Sequence, residues 1–110
     1  MRADAVHGHL DLLVLSLLAE GPRHGYAISE EIRIRSRDEV DLREGTLYPA
    51  LYRLEREGLL TSRWQTADGR RRRVYRLTRR GRVALRQRHE EWRTLARAIR
   101  QVIGDEAWAN

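Results

Sequence analysis

The sequence predicts a mainly α-helical protein with one small β-hairpin, and three observations carry that expectation. Apolar residues recur at helical spacing in four separate stretches, two β-prone runs flank an Asp-Gly turn, and the last helical stretch is the longest. With 110 residues the chain suits one small core, because a domain of this size buries about two-thirds of its unfolded surface.

From His9 to Glu20, the residues Leu10, Leu13, Val14, Leu17 and Leu18 fall at i, i+3, i+4, i+7 and i+8, the spacing of one buried helical stripe. Leu12, Leu15 and Ala19 form a second stripe, so this helix is expected to be sandwiched between its own domain and something else. Gly21-Pro22 ends it. A second helix is expected from about Gly25 or Tyr26 to Arg35, with Ile28 and Ile32 inward and Glu30, Glu31, Arg33 and Arg35 outward. Val40 and Leu42 then alternate with Asp41 and Arg43, as in a short extended segment.

The third helix lies within GTLYPALYRLEREGLL, residues 45–60. Proline costs about 3 kcal/mol in a helix interior and little in the first turn, where the N–H groups have no partner anyway. The regular ladder is therefore expected to start near Thr46, with Thr46 as its N-cap. Leu47, Ala50, Leu51 and Leu54 then face inward, leaving Tyr48, Tyr52, Arg53 and Arg56 outside. Gly58 stops the helix as a left-handed cap residue does, and Leu59 and Leu60 return the chain to the core.

Residues 61–65 (TSRWQ) and 73–77 (RVYRL) are β-prone, and Asp68-Gly69 between them is a strong hairpin signal. The final helix is expected from about Arg79 or Arg80 to Ile103. Leu85, Trp92 and Ile99 recur every seven residues, as do Leu95 and Val102, with Ala96 and Ile103 flanking and Arg88 interrupting the seam. Such a stripe needs a partner, most economically the same helix of a second copy together with the spare face of the first helix. The expected homodimer interface comprises Leu12, Leu15, Leu85, Trp92, Leu95, Ile99 and Val102.

Charge distribution narrows the function. All 22 basic residues are arginine and the net charge is +6. Residues 1–62 hold eight Arg against eleven acids, whereas residues 63–82 hold nine Arg against Asp68 alone. An all-arginine composition is equally the mark of a GC-rich genome, but a local cluster makes a potential that attracts a polyanion, nucleic acid first of all. Three helices followed by an arginine-tipped hairpin describe a winged helix-turn-helix, in which the third helix enters the major groove and the wing follows the backbone. Residues 1–78 are thus expected to form a winged helix-turn-helix DNA-binding domain, and residues 79–110 a C-terminal dimerisation helix and tail. A two-fold protein suits two half-sites about one duplex turn apart.

Other chemistries find little support. With no cysteine there is neither a disulfide framework nor a thiolate site, which fits a reducing cytosol. The longest apolar run, Leu10 to Ala19, is about half of a bilayer span and the N-terminus has no signal-peptide pattern, so a cytoplasmic protein is expected. His7 and His9 are two apart near a chain end, a weak basis for a metal site. No nucleophile–base set or glycine-rich phosphate loop occurs, so neither an enzyme nor a cofactor is expected.

The stretches GHLDLLVLSLLAEGPRHGYAISEEI, GTLYPALYRLEREGLL and GRRRRVYRLTRRGRVAL resemble the PadR-like transcriptional regulators, in particular the small class with a single C-terminal helix. The resemblance spans roughly residues 8–103. It implies a dimeric winged-helix DNA-binding protein, most often a repressor whose DNA affinity drops when a small molecule binds. One departure is Arg43-Glu44, which stands where the family usually has a Ser-Pro-like pair; it bears on the helix cap and offers a phosphate contact at Arg43.

The expected DNA-binding residues are Tyr26, Arg43, Thr46, Tyr48, Tyr52, Arg53 and Arg70, Arg71, Arg72 and Arg73. Several have a plainer reading beside the functional one. Tyr26 reads first as core and otherwise as part of a phosphate-binding helix N-terminus. Tyr48 is a groove residue or a partly buried packing residue, and Arg53 a base reader or the i+4 partner of Glu57. Trp92 is dimer core, effector-binding surface for a planar aromatic small molecule, or both. An alternative from another class is a basic dimeric adaptor that binds an acidic protein or RNA through the wing.

Overall fold

The computed structural model describes residues 9–104, so His7 and Trp108 lie outside the described residues. Helix α1 (Leu10–Ala19) leads through a two-residue strand β1 (Arg23–His24) into α2 (Gly25–Arg35) and α3 (Glu44–Arg56). Strands β2 (Leu60–Ala67) and β3 (Arg70–Leu77) form the hairpin, and α4 (Arg79–Ile103) closes the chain. The antiparallel sheet has the order β1-β3-β2. Among the described residues, four helices and a small sheet with a long terminal helix make the expected winged helix-turn-helix.

The hairpin is longer than the β-prone runs suggested. Asp68 and Gly69 both take positive φ, 52° and 75°, the backbone of a two-residue turn whose twist matches paired strands. Ala67 therefore pairs with Arg70, and the register runs unbroken to Leu60 opposite Leu77. Strand β1 was not foreseen, because two residues are too few to show a period; it forms by pairing Arg23 with Tyr75 and His24 with Val74.

One core holds the molecule together, built from Leu10, Val14, Leu17 and Leu18 of α1, Ile28 and Ile32 of α2, Leu47, Leu51 and Leu54 of α3, and Leu60 and Tyr75 of the sheet. Val40 and Leu42 are buried while Asp41 and Arg43 are exposed, so the expected alternation holds, although the segment pairs with no strand. At α4 the Thr78 hydroxyl accepts from the Gly81 N–H at 3.0 Å and donates to the Gly58 carbonyl at 2.7 Å. A side chain at Gly81 would overlap the Leu59 carbonyl, so the helix start can press against the end of β2 only as glycine.

Two expectations need correction. Thr46 is not the cap of α3: the helix begins at Glu44 behind an extended Arg43 (φ −88°, ψ 162°), and the Thr46 and Leu47 N–H groups donate to the Arg43 carbonyl. Pro49 thus sits within the helix as its sixth residue, past the first turn, where its missing N–H removes the bond that the Gly45 carbonyl would receive in an unbroken ladder. Acidic Glu44 in the first turn favours the earlier start through the helix dipole. Leu15, assigned to an interface between copies, is fully buried inside the subunit. The element that covers the second side of α1 is α4 of the same chain. Leu85 likewise packs half-buried on the subunit's own core.

Candidate nucleic-acid interface

The outer face of α3, the N-terminus of α2 and the hairpin border two adjoining hollows that share Tyr48, Arg73 and Tyr75. Along α3, Tyr52 is 67% exposed, and the Arg56 guanidinium lies over its ring at 5.8 Å. Tyr48 is 41% exposed, with its hydroxyl end against Gly25, where an added Cβ would fall 2.5 Å from the Tyr48 oxygen. The plainer reading of Tyr48 holds, since the ring packs on α2, while one edge stays open to solvent.

The His-Gly-Tyr stretch acquires a division of labour. His24 caps α2, its Nδ1 accepting from the Ala27 N–H at 3.3 Å. Its Nε2 lies 3.0 Å from an Arg72 guanidinium nitrogen, and its ring stacks on Tyr26 at 6.5 Å between centroids. Burial first and the nearby Arg72 charge second push the His24 pKa below its ordinary value. Gly25 makes room for Tyr48, and Tyr26 is 67% exposed rather than core. Tyr26 turns outward because Ile28 already fills the inward position of that turn.

On the wing, strand alternation divides the four arginines between two faces. Arg71 and Arg73 share a face with Trp64 and Tyr75, and Arg70 and Arg72 take the other. All four line the hollow with Tyr26 and Tyr48. Arg73 donates from Nε to the Ser62 hydroxyl at 2.7 Å and lies 3.6 Å from the Glu55 carboxylate of α3. Tyr75 is buried below, and that burial raises its hydroxyl pKa.

Arg53 does not stand free on the outer face. It makes a bidentate pair with Asp11 of α1 (2.6 and 3.1 Å) and a weaker contact with Glu57 at 3.5 Å. The Asp11 hydrogen bonds are the main reason the Arg53 pKa is raised. Asp11 also accepts from Arg88 of α4 at 2.9 Å, which explains why an arginine interrupts the apolar seam. Arg43 is exposed at the head of α3, and Thr46 is half-buried in its first turn.

Sequence reasoning missed three residues of this arrangement: Asp11, His24 and Trp64. Only the last was within reach. Once Asp68-Gly69 is taken as a two-residue turn, the ladder places Trp64 opposite Arg73. Among the described residues, no group of three or more His, Cys, Asp or Glu is placed to hold a metal ion, and no helix is long and apolar enough to cross a membrane.

Comparison with known proteins decides the family. The model of the transcriptional regulator PadR-like family matches residues 14–87. The chain belongs to that family. PadR-like proteins are DNA-binding transcriptional regulators rather than enzymes, which accounts for an exposed helix face beside a basic wing. A transcriptional regulator of Mycobacterium tuberculosis is 42% identical over 96 residues, 87% of this PadR-like chain and 84% of that protein. A transcriptional regulator from Clostridium thermocellum superposes with a TM-score of 0.83 at 37% identity, covering 90% of this chain and 97% of that one. A PadR family regulator from Clostridium difficile gives 0.76 at 35% identity, covering 87% and 99%.

Proposed function

We propose that this PadR-like regulator is a homodimeric, sequence-specific repressor whose hold on its operator weakens when a planar aromatic small molecule binds beside Trp92. The observation that carries the reading is an unmatched pair of surfaces on one subunit. Wing residues Arg70, Arg71 and Arg72 have no carboxylate partner among the described residues, next to an outward tyrosine on α3. On α4, Trp92, Leu95, Ile99 and Val102 are 42–85% exposed at coiled-coil spacing. Guanidinium groups without a carboxylate partner suit phosphates, and outward tyrosines on a groove helix suit base edges.

An apolar stripe on a charged helix suits the same helix of a second copy. Beside Trp92, a hollow of about 240 Å³ lined by Leu12, Leu95, Asp11 and Arg88 supports the effector role, since it joins an aromatic face to polar groups. The test is binding of duplex DNA from the region upstream of the chain's own gene, with footprinting and an unrelated duplex as control. A protected, symmetric site bound more tightly than the control is expected. Equal affinity for both duplexes overturns the sequence-specific reading. Quenching of tryptophan emission by planar aromatics, with loss of operator binding, tests the effector.

A further inference from the structure

Trp64 is the one exposed aromatic of the hairpin, Tyr75 being buried, and nothing in the core explains it: the side chain is 55% exposed. Its ring is nevertheless occupied. The Arg71 guanidinium carbon lies 5.0 Å from the ring centroid and that of Arg73 lies 5.5 Å away. The ladder dictates the grouping, since Trp64 pairs with Arg73, Thr66 with Arg71, and alternate residues share a face.

The two arginines differ in what else holds them. Arg73 is tied to α3 through Ser62, whose hydroxyl donates to the Glu55 carboxylate at 2.7 Å while accepting from Arg73 at 2.7 Å. Arg71 is exposed and makes no ion pair among the described residues, so the indole is what orders it. An arginine near the tip of a two-stranded ribbon otherwise samples many rotamers and must surrender them on gripping a phosphate.

We infer that Trp64 is a positioning residue for DNA binding: its ring presets the Arg71 guanidinium, and shares Arg73, so that the wing meets the phosphate backbone already ordered. This deepens the reading of the wing as the phosphate contact and rests on it. The ring contributes no charge, so its removal should weaken binding without changing how many counterions are released.

The experiment is a salt titration of binding to one duplex by the full chain, with Trp64→Leu, Trp64→Phe, Arg71→Ala and the double variant Trp64→Leu/Arg71→Ala. Leucine keeps the strand's apolar bulk and removes the π-face, while phenylalanine keeps a face. Thermal melts establish that each variant is folded. Trp64→Leu should lower affinity about threefold to tenfold with the wild-type slope of log K against log salt. Trp64→Phe should recover most of the loss, and Arg71→Ala should flatten the slope by about one. In the Arg71→Ala background the Trp64→Leu loss should shrink, because one of the guanidinium groups it orders is gone. Arg71→Ala with an unchanged slope would overturn the wing reading itself. A flattened slope in Arg71→Ala beside wild-type binding by Trp64→Leu, or an undiminished Trp64→Leu loss in the double variant, would overturn the Trp64 inference alone.

Discussion

His24 shows how much one side chain can decide. Its ring nitrogens face the N–H groups of Ala27 and Arg72; a neutral ring can accept the Ala27 bond at Nδ1, whereas an imidazolium with two N–H groups of its own can accept from neither. Burial first and the Arg72 charge second depress its pKa, and the cap adds to the preference for the neutral ring. The unfolded chain holds the proton to about pH 6.5, so the stabilising contribution is fully present above that value and lost as pH falls through the depressed folded value. Unfolding by urea at pH 7.5 and at pH 5.5 should show wild type losing stability on acidification. His24→Asn keeps a capping group without a titrating ring and should lose less; an equal loss would place the pH dependence elsewhere. The arginines and tyrosines divide by chemistry in the same way. Arg71→Ala with Arg72→Ala should weaken binding to every duplex and flatten the salt dependence by about two. Tyr52→Ala should mainly blur the preference for operator over random duplex, and equal effects of both changes on all sequences would undo the assignment of α3 to the groove.

At the scale of elements, Asp11 is the fastening point. One carboxylate on α1 holds Arg53 of α3 and Arg88 of α4, joining α3 and the terminal helix to the centre of the domain. Its side chain is 20% exposed and those of its partners 41% and 33%, so solvent screens the pairs only partly. Single exposed pairs contribute about 0.2–1 kcal/mol, and a shared carboxylate whose loss leaves two guanidinium groups unpaired costs more. Asp11→Ala should lower unfolding stability by about 1–2 kcal/mol. Glu57→Ala, which removes only the 3.5 Å contact to Arg53, should cost less than about 0.5 kcal/mol. Similar losses in the two variants would mean that Asp11 is no hub. Helices α1 to α4 were legible from their periods, and the hairpin from Asp68-Gly69. Helix starts were less so, because Glu44 and Arg43 supply the opening turn of α3 without any side-chain cap to mark it.

Taken whole, the subunit measures 54 × 28 × 21 Å, and α4, about 37 Å long at 1.5 Å per residue, makes much of the long dimension. Its N-terminal half is consumed by docking on α1 and the core, through Leu85 and Arg88. From Trp92 onward the large apolar residues face solvent, which is where the proposed second copy would sit. Trp92→Glu should give monomers by sedimentation and abolish operator binding, since a charge buried in a seam is costly. An intact dimer carrying that change would place the interface elsewhere.

Local periods, a proline near a helix start, one Asp-Gly turn and a run of arginines were enough by themselves to determine the helices, the hairpin and the side of the molecule that carries positive charge. These signals survive in a linear string because each depends on neighbours within a few residues. Which carboxylate an arginine meets was decided only by the tertiary structure, for the partners of Asp11 lie 42 and 77 residues away. The same holds for the side of α1 that its own terminal helix covers, which moved Leu15 from an expected interface into the core. Contacts of that range depend on how finished elements pack, and a period read along one helix is silent about what will cover it.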